Sequence, residues 1–165
     1  MAKTRFVLLI DFSPYSGAQL RLAQAWAGVL DAELLLVHRV SDAVPVMADM
    51  ETKIQIVDER KKDGLAELKR YAADTLTDSL AVHFHVTERN LLEELPLLLR
   101  GHQHDVVFVG LKGSNFLKKY LLGSTATAVI DHLPHIVVAV PTKVPSQHID
   151  VLHIAVSPKY PLNVG

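Results

Sequence analysis

The chain of 165 residues contains no cysteine. That absence excludes a disulfide framework, thiolate zinc sites and cysteine catalysis, and it fits a reducing compartment. Nor is there an excess of one charge: 17 Lys and Arg stand against 18 Asp and Glu, a formal net charge of −1. General binding to nucleic acid or to an anionic membrane surface needs a basic excess that this composition lacks. Long apolar runs are missing too. The run from Phe6 to Ile10, behind a basic start, ends at Asp11 and is too short for a signal peptide or a membrane span. The expected setting is that of a soluble cytoplasmic protein, with neither nucleic acid nor membrane as partner. What is present is a globular composition, 49% apolar and 21% charged, with room for one domain and part of another.

Phe6-Val-Leu-Leu-Ile10 is apolar without interruption, as in a strand buried on both faces of a parallel sheet. Ser16 and Gly17 open a helical pattern in which Leu20, Ala23, Ala27 and Leu30 form a stripe, widened by Leu22, Trp26 and Val29. Glu33 to Val37 predicts a second buried strand. A long helix is expected over 48–75, with Ile54, Val57, Leu65, Leu68 and Ala72 as its core face. Residues 81–86 alternate like a third strand, and 91–100 read as a leucine-rich helix kinked or started at Pro96. Val106 to Val109 is a fourth strand, 124–133 a helix, and Ile136 to Val140 a fifth strand stopped by Pro141. Such regular alternation argues for an α/β domain over 1–141 with right-handed crossovers.

The remainder does not fit that domain. Residues 142–150 look like a linker. Val151-Leu-His-Ile-Ala-Val-Ser-Pro158 then matches Val7-Leu-Leu-Ile-Asp-Phe-Ser-Pro14 at five of eight positions. Coming just after a finished domain, 151–165 is expected to begin a second, truncated copy. The alternative is a chance β-type tail.

In an open parallel sheet, ligands bind outside the carboxyl ends of the strands, where the strand order reverses. Asp11 closes strand one. Gly110 closes strand four and begins Gly110-Leu-Lys-Gly113, with Gly123-Ser124 nine residues further on. Gly110 and Gly113 let the backbone turn and approach a phosphate without a Cβ in the way. Ser124 is expected to cap the last helix, whose free N–H groups and positive dipole end attract an anion. Lys112 adds charge at the same mouth. Asp11 can accept from a nucleotide's polar edge, a ribose hydroxyl or a magnesium-bound water. The same residues also serve as ordinary turns and caps. Neither a Walker phosphate loop nor a Gly-x-Gly-x-x-Gly fingerprint is present.

Asp11-x-Ser13 after the first strand, with Gly110-x2-Gly113-x9-Gly123-Ser124 after the fourth, resembles the universal stress protein family. The resemblance runs in register from Arg5 to Pro141. It implies an open five-stranded parallel sheet, order 3-2-1-4-5, with helices on both faces, like the adenine nucleotide alpha hydrolase fold. It further implies ATP as ligand, with or without magnesium. Asp11 would lie near adenine and ribose, and Gly110, Gly113, Gly123 and Ser124 around ribose and phosphates, with Ser13 beside them. The tail resembles the second domain of a tandem member, with Ala155 in the place of Asp11.

Three positions depart from the family pattern. Leu111 and Lys112 stand where a small hydroxyl residue and often a His are usual, and Arg39 stands where a small aliphatic residue usually meets adenine. An arginine there can stack on the base or fill its space, and the sequence leaves both open.

Nine histidines raise the question of a metal. His83-x-His85 and His102-x-His104 lack a third ligand at useful spacing, so no metal site is expected, and His83 and His85 read as the solvated side of a strand. No catalytic residue is assigned. The expected function is a stress-response, ATP-sensing module with little or no turnover. The alternatives are a member acting through protein contacts without nucleotide, and an ATP-hydrolysing or adenylyl-transferring enzyme. The uncharged fifth strand, Ile136 to Val140, is a pairing hazard at a sheet edge and is expected to pair with a like domain.

Overall fold

The computed structural model describes residues 3–77, 80–102, 104–111 and 123–143. The elements follow in the order β1 (Arg5–Leu9), α1 (Pro14–Leu30), β2 (Glu33–Arg39), α2 (Met50–Thr75) and β3 (Val82–Thr87). After these come α3 (Leu91–Leu98), β4 (Val106–Gly110), α4 (Ser124–His132) and β5 (Ile136–Val140). The strands form one parallel sheet in the order β3-β2-β1-β4-β5. That is the architecture the alternation and the resemblance predict. The linker beyond residue 143 and the repeat at 151–158 lie outside the described residues.

Strand side chains alternate in direction, which explains why β1 is apolar without a break. Phe6 and Leu8 join Leu34, Leu36 and Phe108 on one face, under α1 and the second half of α2. Val7 and Leu9 join Leu35, Val37, Val107 and Val109 on the other, under α3 and α4. Each such Leu or Phe contributes about 1.5–3 kcal/mol by leaving water, so both faces must stay covered. Below the sheet, Arg5 donates through Nε (3.2 Å) and Nη2 (2.6 Å) to Oδ2 of the buried Asp105, and Nη2 also reaches the Leu98 carbonyl. That cluster ties β1, α3 and the entry to β4 together.

Several expectations need correction. Helix α1 begins at Pro14, with Ser13 in the N-cap position, and Ser16 is buried inside it. Its stripe is covered only as far as Ala27: Val29 and Leu30 are 84% and 58% exposed. Periodicity says which side a residue faces, not how far the neighbouring sheet extends. The same lesson applies to α2, where Leu68 and Ala72 are buried but Ile54 is exposed. Helix α2 packs closely at Gly64, where a Cβ would come within 2.9 Å of Val40 Cγ1 and 3.3 Å of His38 Cδ2. Pro96 lies inside α3, whose start is set by the Asn90 side chain accepting from Leu92 N. His85 is not simply solvated: it is half-covered, and its Nε2 lies 2.8 Å from Glu94 Oε1 on α3. Among the described residues no helix is long and apolar enough to cross a membrane.

Candidate functional site

The chain leaves β1 toward β2 on one side, and β4 joins β1 on the other. Connections diverging from adjacent strands cannot both cover the gap between them, so a crevice opens at their carboxyl ends. A cavity of about 240 Å³ occupies this place. Its floor is the ends of β1 (Leu9, Ile10, Asp11), β2 (Val37, Arg39) and β4 (Val109, Gly110). Tyr15 and Gln19 of α1, Leu91 of α3 and the first turn of α4 close its sides.

Asp11 is set by local geometry. Its Oδ1 accepts from Ser13 N–H (3.0 Å) and from Ser16 Oγ–H (2.9 Å). Phe12 between them takes the left-handed conformation, φ 58°, which a bulky residue seldom adopts. Its ring is held by His38 (centroids 4.5 Å apart) and edge-on by Tyr71 (5.5 Å). Partial burial pushes the Asp11 carboxyl up, but the hydrogen bonds from Ser13 and Ser16 outweigh it and hold the group below its usual range. The carboxylate is therefore ionised at neutral pH, and Oδ2 has no hydrogen-bond partner among the described residues.

Gly110 lines the cavity, and its lack of a side chain is also needed on the side of α1. A Cβ there would come within 2.8 Å of Tyr15 Cβ, so glycine is required for the approach of α1. Gln19, which no motif singles out, lies buried behind it. With the amide turned to satisfy both ends, Oε1 accepts from Gly110 N (2.8 Å) and Nε2 donates to the carbonyls of Leu9 (3.2 Å) and Phe108 (3.3 Å). It thus stitches β1 to β4 where their own ladder, last registered at Leu8 and Phe108, has ended.

At the far wall, Gly123 rather than Ser124 is the N-cap of α4, and no side chain caps the helix. Ser124 is its first residue, so the first turn of α4, with the positive end of the helix dipole, lines the cavity, and among the described residues no side chain caps it. Arg39 ends β2 at the rim. Its Nε donates to the Glu88 carbonyl and its Nη2 to Asp42 Oδ1, each at 3.4 Å.

The structure thus brings Asp11, Arg39, Gly110, Gly123 and Ser124 onto one cavity. Ser13 stands beside it through its bond to Asp11 and is not part of the wall. Lys112 and Gly113 lie outside the described residues. Among those described, no group of three His, Asp or Glu side chains is arranged to hold a metal ion.

Residues 3–141 match the model of the universal stress protein family. A universal stress protein of Mycolicibacterium smegmatis is 28% identical over 136 residues, which are 79% of this chain and 46% of the relative. The chain thus spans about half the length of that curated relative. Among solved structures, the universal stress protein UspA from Lactobacillus plantarum superposes with a TM-score of 0.62 at 21% identity, covering 85% of this chain and 99% of that one. The universal stress protein from Archaeoglobus fulgidus, solved in complex with dAMP, superposes with a TM-score of 0.53 at 15% identity, covering 85% and 99%. At these identities the structures speak for the fold.

Proposed function

The chain belongs to the universal stress protein family, and on that premise we propose that it is a nucleotide-binding, ATP-sensing module with little or no turnover. The observation that carries this reading is the convergence of an ionised carboxylate and the N-terminus of α4 on one cavity at the crossover point of the sheet. Asp11 Oδ2 is positioned to accept from ribose hydroxyls or the polar edge of the base. The first-turn N–H groups at Ser124 and Thr125 suit phosphate oxygens. The dAMP complex of the Archaeoglobus fulgidus relative is consistent with this assignment. Magnesium needs few protein ligands beside substrate phosphates, and Asp11 is the carboxylate on this cavity that fits it. The described walls hold no carboxylate or histidine besides Asp11, which favours binding over turnover.

A like domain is the proposed second partner, paired through β5. That strand has a neighbour on one side only within the described sheet, carries no charge, and begins at Ile136, which is 57% exposed. The test of the function is native mass spectrometry of the purified chain, followed by incubation with Mg-ATP. Co-purifying or added ATP retained without product supports the module. Loss of phosphate to water or to an acceptor supports an enzyme, and the absence of any bound nucleotide supports a member working through protein contacts alone.

A further inference from the structure

A second cavity, of about 300 Å³, opens at the opposite end of the sheet from the crevice that holds Asp11. It lies where α3 and α4 run out and the chain turns into β4 and β5, at the amino ends of those strands. Its floor is apolar: Leu99 and Leu133 line it and are 2% and 3% exposed. The titratable side chains on its wall are all basic, Arg100 and His102 after α3, His132 at the end of α4 and His135 before β5. His104, Asp105 and Asp131 flank these turns, but none is on the wall, and Asp105 is committed to Arg5. Three of the nine histidines thus converge with an arginine over an apolar floor, with no carboxylate among them.

The helix ends do not cancel this basic character, because their carbonyls already have donors. Those of Leu97 and Leu99 accept from the backbone N–H of Arg100 and His102, and that of Val129 from Leu133. The Ala128 carbonyl accepts from His132 Nδ1 at 2.7 Å. This last bond fixes the tautomer: neutral His132 keeps its proton on Nδ1, and Nε2 carries a lone pair. An oxygen that only accepts can bond to Nε2 once a second proton sits there. Arg100 supplies a permanent charge and paired N–H donors that match a carboxylate. Among the described residues the histidines are not grouped to hold a metal ion. The ligand class that fits a basic rim over an apolar floor is an anion with an apolar body.

We propose that this cavity binds a small organic carboxylate, its body on Leu99 and Leu133 and its charged end between Arg100 and His132, with uptake of one proton at His132 Nε2. The proton comes from solvent and stays on the imidazole, and no bond of the ligand is broken. The site stands independently of the nucleotide-binding reading.

The experiment is calorimetric titration of the whole chain with benzoate, its neutral counterpart benzamide, and inorganic phosphate. Benzoate binds saturably at about pH 6 and about 10-fold or more weakly at about pH 8, since an imidazole loses its charge between them. Benzamide lacks the charge and phosphate the apolar body, and each binds at least about 10-fold more weakly than benzoate. Arg100→Ala weakens benzoate by about 10- to 100-fold at both pH values, whereas His132→Gln removes most of the pH dependence. Both side chains are exposed, so the variants melt close to the intact chain. In the intact chain, the His132 ring resonances shift with benzoate and not with AMP. Absence of saturable benzoate binding at millimolar concentration overturns the site. Equal affinity for benzamide, or full affinity in Arg100→Ala, overturns the carboxylate, and equal affinity for phosphate overturns the apolar body. A pH dependence kept in His132→Gln overturns the place of the proton. Zinc ions that bind more tightly than benzoate and shift the same ring make this a cation site and overturn the proposal.

Discussion

Ser16 Oγ lies 2.9 Å from Asp11 Oδ1 and 3.2 Å from the Asp11 backbone nitrogen. One hydroxyl, fully buried in the first turn of α1, thus donates to the carboxylate and accepts from the peptide of the same residue. This double bond to Asp11 closes the bend around Phe12 and aims the free carboxylate oxygen toward the cavity.

Replacing Ser16 with Ala removes both bonds and leaves the Asp11 N–H without its partner. Ser16→Ala is expected to cost about 1–3 kcal/mol in folding stability. It also moves the Asp11 carboxyl upward and weakens ATP binding. Urea denaturation and a titration of the Asp11 carboxyl by NMR read the two effects separately. Unchanged values in both measurements would show the bend to be self-supporting.

Acid should act through Asp11 in a stated direction. Its hydrogen bonds from Ser13 and Ser16 hold the folded-state carboxyl below the ordinary aspartate value. The stability it contributes is therefore present above that ordinary value and is lost as pH falls through the lower, folded one. Asp11→Asn is expected to flatten this part of the acid limb in thermal melts, with lower stability than the intact chain at neutral pH and convergence of the two in acid. An identical acid limb in the variant contradicts the assignment.

Gly110→Ala tests the packing of α1 on β4. The new methyl would meet Tyr15 Cβ at 2.8 Å, a backbone-proximal atom that cannot swing aside. Overpacking of this kind costs about 1–3 kcal/mol. The urea midpoint should fall with an unchanged slope. A variant of wild-type stability would show that α1 is free to shift.

Much of this was legible in the residues. Phe6 to Ile10 announced a strand covered on both faces, because only such a strand can be apolar at every position. Asp11, Gly110, Gly123 and Ser124 could be named because strand ends and helix starts are marked by short polar and glycine signals. Gln19 could not. It sits among Ala18, Leu20, Leu22 and Ala23 on the buried side of α1, and its partners come from β1 and β4, far away in the chain. Tyr15 and Leu91 were missed for the same reason, since their place on the cavity depends on how α1 and α3 lie across the sheet. Gly110 has a second requirement that its sequence context does not show: the context points to the loop ahead, whereas its steric neighbour is a helix about ninety-five residues back. Leu30 and Ile54 were overread, since a helical stripe has no knowledge of where the sheet stops.

The β5 edge gives a prediction about assembly. Paired with a like domain, the chain should show a concentration-dependent mass in light scattering. Ile136→Lys, which puts a charge on the exposed start of that strand, should return it to monomer without loss of fold. A monomer at every concentration before the substitution contradicts edge pairing.

The most direct test of the central claim is calorimetric titration of ATP into the chain and into Asp11→Ala, with circular dichroism to establish that the variant is folded. The account predicts saturable binding to the intact chain and a loss of about 10- to 100-fold when the carboxylate is removed, the usual worth of a hydrogen bond to a charged group. Full ATP affinity in a folded Asp11→Ala, or no binding to the intact chain at millimolar ATP, contradicts it.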